Sequence, residues 1–509
     1  MEVFSLCLVA ITTVLVLWLL NIAASYGGNS PAQNQKRLPP GPWRLPIIGS
    51  LHHVVSVLPH RRLMEMSRRH GPLMLLMLGE IPTIVVSNAE AAALVMKTND
   101  LSFASRPSST TLDIVSCGGK GIAFAPYGEH WRQMRKICTV ELLSAKQVKR
   151  MESIRAEMVA GLLRSIGTAA LVGAVNISAK VALFTNDIGS RVVFGGRCAR
   201  QAEYLRELDK VVTLVGGFCL HDLFPSSRLV RWLSNSERNV RRSYGHIDCI
   251  ISDIIEGRKV VRAAIDRLCS TDEDLLDVLL RLQEENSLAF PLTTEIIGVT
   301  IFDMFGAATE TTSTALEWAM SELINNPEVM AKVQKEVRDV LGQDRVVITN
   351  SDLNDLGYMR MVIKEVLRLH PPFPLLLPRE TREDSEIMGY HIPKGTNIYV
   401  NAFAISRDPK YWDNPAEFRP ERFVNSSMNY EGTYFEFTPF GSGRRICPGM
   451  LFATSTMEIA LANLLYHFNW QLPGGDHVDM SEKFGLTVGR KFDLQLVAIP
   501  HSGNKVMAL

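Results

Sequence analysis

Apolar positions fall into three regimes along the 509 residues. From Val3 to Ser25 they run together with no charged side chain, long enough to cross a hydrocarbon core as a helix. Residues 1–25 are therefore expected to be a transmembrane anchor. Glu2 is the charged side chain before the run, and the first positive ones, Lys36 and Arg37, follow it, which places what comes after in the cytosol. A cleaved signal peptide would want a basic leading region and a shorter apolar stretch. The Asn-x-Ser sites at Asn176 and Asn425 would then be out of reach of glycosylation. Residues 26–45 read as a linker rich in Gly, Ser and Asn that ends in Leu38-Pro39-Pro40-Gly41-Pro42, a run that can be neither helix nor central strand and predicts a stiff hinge.

Residues 46–509 show no second linker and no internal repeat, and are expected to form one globular domain. Short strand-like runs come early, at Leu73 to Leu78 and Thr83 to Ser87. Helical spacing then dominates from about Tyr127 to His370. One helix is predicted from Thr293, an N-cap followed by Glu295, to Asn325, just before Pro327. Its first half is apolar on nearly every face, the pattern of a central buried helix. The next takes Pro327 in its first turn and stops at Gly342. Beyond His370 come short strands, Pro-rich loops and one more helix, Met450 to Tyr466. The class is mainly α with a minor β region, an α+β arrangement.

Composition changes this picture little. Hydrophobic residues are 46% and charged residues 21%, ordinary for a folded globule. The net charge of +1 gives no general reason to expect nucleic acid as a partner. The eight cysteines are scattered without a CxxC pair or zinc-like spacing, so they suggest reduced, mostly buried thiols and exclude a disulfide scaffold or a zinc or cysteine protease.

One cysteine stands apart. Phe440-Gly441-Ser442-Gly443-Arg444-Arg445-Ile446-Cys447-Pro448-Gly449 ends where the last helix begins. The glycines allow a tight backbone path beside a bulky flat group. A helix N-terminus stabilises a thiolate, and Arg445 offers a fork for a carboxylate. Together they suit an anionic sulfur ligand beside a carboxylate-bearing macrocycle.

With this loop the sequence resembles the cytochrome P450 superfamily, and three further signatures stand in the family's order. They are Trp131-x-x-x-Arg135, Glu365-Val366-Leu367-Arg368, and Pro420-Glu421-Arg422-Phe423. The Pro-Pro-Gly-Pro run and Glu482-Lys483-Phe484-Gly485-Leu486-Thr487 look like the plant A-type, microsomal members. The resemblance implies the family's fold, with an N-terminal transmembrane helix, a single-pass endoplasmic reticulum location and a cytosolic catalytic domain. It implies heme b with Cys447 as axial ligand, and NADPH-derived electrons from a reductase. Phe440, Arg445 and Gly449 would complete the heme loop, and Trp131, Arg135 and Arg379 would meet heme carboxylates. Glu365, Arg368 and Arg422 would form a structural ion-pair triad. In Ala307-Ala308-Thr309-Glu310-Thr311-Thr312, Thr311 is the expected catalytic hydroxyl and Glu310 its acidic partner. Ala308 departs from the glycine often found there, which stiffens the helix.

The implied reaction is monooxygenation by O2. Pocket positions implied by the resemblance are Ile301, Met304, Phe305, Phe373, Leu375, Leu376, Leu377, Leu486 and Val488, all apolar, with Asp303 either the one polar contact or bonded within the fold. Such a lining suits hydrocarbon skeletons, terpenoids and among them diterpenes, with aromatic or alkaloid precursors as the alternative. A heme-thiolate isomerase or dehydratase, which needs no reductase, and a membrane-tethered heme protein without turnover are the rival readings. Membrane lipid, the reductase, O2 and the apolar substrate are the expected partners.

Overall fold

The computed structural model describes residues 37–501, apart from positions 57, 217–218, 265–272, 287, 289, 344 and 476, together with residues 12, 13 and 16. The expected anchor over residues 1–25 lies, but for those three, outside the described residues. Among the described residues no helix is long and apolar enough to cross a membrane. The Pro-rich run is no free spacer from residue 40 onward. Pro40 accepts the Leu75 N–H at 2.8 Å, and a Cβ on Gly41 would lie 2.0 Å from the Leu75 carbonyl.

Helices make up most of the domain. Those that frame the site are α1 (Glu129–Ile137), α2 (Glu152–Ala170), α3 (Ile177–Phe194), α4 (Gln201–Gly216), α5 (Ser236–Ala264), α6 (Thr294–Asn325), α7 (Pro327–Leu341), α8 (Gly357–Leu369) and α9 (Met450–His467). A four-stranded sheet, in the order β1-β2-β4-β3, flanks them. Its strands are β1 (Leu73–Leu78), β2 (Ile81–Val86), β3 (Arg379–Glu380) and β4 (Asn397–Val400). β1 and β3 run antiparallel to their neighbours, and β2 pairs with β4 in parallel.

Helix α6 is the axis of the domain. Its N-cap is Thr293, whose hydroxyl accepts the Ile296 N–H at 3.3 Å, and at about 1.5 Å per residue it runs about 48 Å. It packs most extensively on α3 and also on α5, α8 and α9. Its ends belong to two separate apolar cores. Ile296 to Phe305 join the one built with α1, α4 and α5, and Ala315 to Leu323 join the one built with α2, α3, α7, α8 and α9. Between them, residues 306–314 read Gly-Ala-Ala-Thr-Glu-Thr-Thr-Ser-Thr, with no large apolar side chain. A helix that must fill both cores but carries only small and hydroxyl residues and Glu310 midway leaves a space at that level, and the central cavity lies there.

Two buried ionic groups tie distant segments together. Glu365 on α8 takes Arg368 in a double hydrogen bond at 2.7 and 2.8 Å. It also accepts Arg422 Nε at 2.8 Å and the Arg419 N–H at 2.9 Å. The remaining Arg368 donors reach the carbonyls of Ser406, Pro415 and Glu417. Glu365 and Arg368 are fully buried, so the group locks α8 to the loop before the cysteine segment. Glu482 accepts hydrogen bonds from Arg61 and meets the His60 ring at 3.1 Å. Burial opposes its ionisation, but His60 and Arg61 outweigh it and bring its pKa down to about 2.

Arg368→Ala leaves Glu365 buried with Arg422 as its remaining charged partner, and is expected to cost roughly 3–5 kcal/mol. Thermal melting of the purified protein checks this, and an unchanged midpoint would sink it. Glu482 has a folded pKa below its ordinary value of 4.5. Its stabilisation is therefore present above about pH 4.5 and is lost as pH falls toward 2. Allowing for the exposure of Arg61, Glu482→Gln is expected to cost roughly 2 kcal/mol at pH 7. The gap between variant and parent should narrow from about pH 4.5 downward and close toward pH 2 in denaturant titrations followed by circular dichroism.

Candidate active site

The loop before α9 is shaped by its glycines. Gly441 and Gly443 hold φ near +70°, and a Cβ on Gly443 would fall 1.9 Å from the Met96 carbonyl. The Ile446 N–H bonds the Gly443 carbonyl and the Cys447 N–H the Phe440 carbonyl, each at 3.0 Å. This turn sets Cys447 at the mouth of α9 with its sulfur open to the central cavity. The surface it shows faces the interior, so burial raises the thiol pKa, while the Gly449 N–H and Arg135 favour the thiolate. Phe440 packs edge-on to Tyr430.

Of the six arginines that line the cavity, about 780 Å³, four from four segments lie close enough to disfavour one another's charge: Arg106, Arg135, Arg379 and Arg445. Arg379 comes from β3 and donates to Asp100 at 3.0 Å and to the Ser442 carbonyl. Arg445 donates to the carbonyls of Ala104 and Ala125, at 2.8 and 2.6 Å, and lies 4.2 Å above the Trp131 ring. Its Nη1 is buried with no partner. Arg106 donates to the carbonyls of Ala123, Leu377 and Pro378. Burial pushes the Arg445 pKa down to about 9, with Arg379 and Arg135 adding to it. Burial, then Arg445 and Arg379, push Arg106 well below its ordinary value. Among the described residues, the carboxylate paired with any of the four is Asp100. So much positive charge in a low-dielectric interior, with an unpartnered N–H, favours an anionic occupant. A flat dianionic macrocycle whose metal takes a sulfur ligand meets that preference, and the donor set therefore fits a heme.

The expected residues arrive in different ways. Trp131 and Arg135 come from α1, but the Trp131 indole N–H is donated to the Ile122 carbonyl at 3.1 Å. Trp131 thus meets the site as the aromatic face beneath Arg445 rather than as a free donor. Helix α6 is continuous past Ala308, which lies opposite Gly189 of α3. Thr311 faces the cavity and its hydroxyl donates to the Ala307 carbonyl at 2.8 Å. Glu310 does not pair with Thr311. Its carboxylate accepts the Thr487 hydroxyl at 2.9 Å, and burial raises its pKa. The α8 triad lies away from the cavity and holds the loop that carries Arg422.

Of the expected pocket residues, Met304, Phe373, Leu377 and Leu486 line the cavity. Four others are corrected. Ile301 is sealed in the core. Phe305 stacks on Tyr204 at 4.4 Å. Val488 is buried, with its carbonyl taken by the Trp318 indole N–H. Leu375 packs with Met74 and Leu76 against the sheet, and Leu376, at φ +50°, faces the cavity in its place. Asp303 lines the cavity and also bonds within the fold, accepting the Ala123 N–H at 3.0 Å. Burial raises its pKa to about 7. Leu376 lines the cavity as expected; sequence reasoning missed Arg106, Asp100 and Phe124, and no local motif marks them.

Comparison with known proteins places this geometry. A family model described as Cytochrome P450 matches residues 39–494. The chain is 45% identical over 502 residues to the desmethyl-deoxy-podophyllotoxin synthase of Sinopodophyllum hexandrum, covering 98% of this chain and 97% of that one. It is 45% identical over 491 residues to the dolabradiene monooxygenase of Zea mays, covering 95% and 96%. Among solved structures it is similar to a zebra fish cytochrome P450 with abiraterone, with a TM-score of 0.75 at 27% identity over 88% of this chain and 100% of that one.

Proposed function

This chain belongs to the cytochrome P450 family, and we propose that it hydroxylates apolar plant specialised metabolites, terpenoids and diterpenes first among them. As a heme-thiolate monooxygenase it takes NADPH-derived electrons from a reductase. The substrate C–H gains one atom of O2 and becomes C–OH. The other atom leaves as water, and NADPH supplies the two electrons. Bound, the heme supplies oxygen activation, for which a thiolate ligand pushes electron density onto iron and favours O–O cleavage.

The protein's own residues do the rest. Arg106, Arg379 and Arg445, with Arg135, offset the charge of the heme carboxylates. Phe124, Met304, Phe373, Leu376, Leu377 and Leu486 bury a hydrocarbon skeleton and exclude water. Thr311 holds a proton on Oγ1 at the cavity wall, and Glu310, the acid beside it on α6, is kept protonable by burial while bonded to Thr487. The observation that carries the substrate reading is the apolar wall beside Thr311, and the similarity to a dolabradiene monooxygenase supports it.

We also propose that the enzyme is anchored in the endoplasmic reticulum membrane by residues 1–25. An exposed apolar face supports this. The helix Arg228–Leu233 buries none of its residues. Trp232 is 79% exposed, and Trp43, Ile47, Val55 and Leu229 are also exposed. Exposed Leu229 and Trp232 on the same short helix as Arg228 and Arg231 suit a lipid surface.

Cys447→Ser is expected to abolish the red-shifted Soret band of the reduced carbon monoxide complex, and persistence of that band would refute the axial assignment. In ferric holoprotein titrated with terpene hydrocarbons and aromatic precursors, a blue Soret shift is expected with a terpene. A shift with aromatic or alkaloid precursors alone would overturn the terpenoid reading and leave the heme-thiolate chemistry intact.

A further inference from the structure

Residues 120–125 pass between α6 and the arginine cluster, and their backbone is bonded on both sides. On the α6 side, the Asp303 carboxylate accepts the Ala123 N–H at 3.0 Å, and the Ile122 N–H also favours its charged form. Toward the cluster, the Ile122 carbonyl accepts the Trp131 indole N–H at 3.1 Å. The Ala123 carbonyl accepts Arg106 Nε at 3.0 Å, and the Ala125 carbonyl accepts Arg445 Nη2 at 2.6 Å. One acid on α6 therefore holds the strip of backbone from which an indole and two guanidinium groups are hung. The approach is close enough to dictate the residue at 121, where a Cβ would lie 2.4 Å from Asp303 Oδ2.

We propose that Asp303 is a positioning residue for the cofactor: by fixing the backbone of residues 121–123 it aims Arg106 and Arg445 at the heme carboxylates and sets the Trp131 ring against Arg445. The inference rests on the heme that membership of the family brings. It assigns Asp303 a task distinct from substrate contact, although the side chain also borders the cavity. An N–H that loses its carboxylate frees the strip to shift. Because the three carbonyls are covalently continuous with it, the cationic groups shift together.

Two independent perturbations test this. Asp303→Leu removes the acceptor, and Gly121→Ala displaces it by contact while leaving the acid in place. Asp303→Asn keeps an acceptor oxygen. In resonance Raman spectra of the ferric holoprotein, Asp303→Leu and Gly121→Ala should each move the heme propionate bending band. Each should also speed heme transfer to apomyoglobin about tenfold, the loss expected for one charge-assisted hydrogen bond. Asp303→Asn should leave the band at its parental position. A band unmoved in both Gly121→Ala and Asp303→Leu, with only substrate affinity altered, would overturn the proposal and make Asp303 a substrate contact. Asp303→Asn behaving like Asp303→Leu would overturn it as well. If Asp303→Leu does not fold, Gly121→Ala and Asp303→Asn decide. Failure of the thiolate assignment would show separately, in the carbon monoxide spectrum.

Discussion

Four guanidinium groups share one interior wall of this protein, and the carboxylate set against them is Asp100. Like charges in a low-dielectric interior repel strongly, and each would prefer water. The surrounding backbone offsets part of this cost through carbonyls directed at Arg106, Arg379 and Arg445. It does not remove it, since Arg445 keeps an unpartnered Nη1. Much of the architecture around the cavity reads as a means of holding these cations where a dianionic heme can meet them.

That demand explains why the arginines come from four separate places. Arg106 lies in an extended segment, Arg135 on α1, Arg379 on β3 and Arg445 in the cysteine loop. No single element could place so many cations around one occupant. The sheet, α1 and the loop before α9 must therefore be fixed relative to one another. The Glu365–Arg368–Arg422 group does this for the loop side, with every strong donor of Arg368 satisfied. Helix α6 does it for the other side by filling two cores with its ends and leaving small residues between.

Much of this was legible in the chain. The N-cap Thr293, the Pro327 start and the Gly342 stop depend on interactions within one helical turn, and the structure places those boundaries where the pattern does. The first strand runs over Leu73–Leu78 as expected, while the second begins earlier than expected, at Ile81, because its pairing with β1 extends to the turn. The cysteine loop was readable for the same reason: its glycines, its arginine and the helix behind it are contiguous. The pocket was less so. Leu375 and Leu376 are adjacent and chemically identical, yet one packs on the sheet and the other faces the cavity. The loop there has neither a helical nor a strand period, and Leu376 takes a positive φ.

The sequence alone determined the helical framework, the heme-thiolate loop and the family, because each rests on residues close in the chain and on motifs that stand in a fixed order. Only the tertiary structure decided which α6 side chains face the cavity, that Glu310 is held by Thr487 and not Thr311, and that Arg106 joins the cationic wall. Those pairings span 177 residues for Glu310 with Thr487 and 271 for Arg106 with Leu377. At such separations periodicity carries no information, and only the packing of complete elements brings the groups within hydrogen-bond reach.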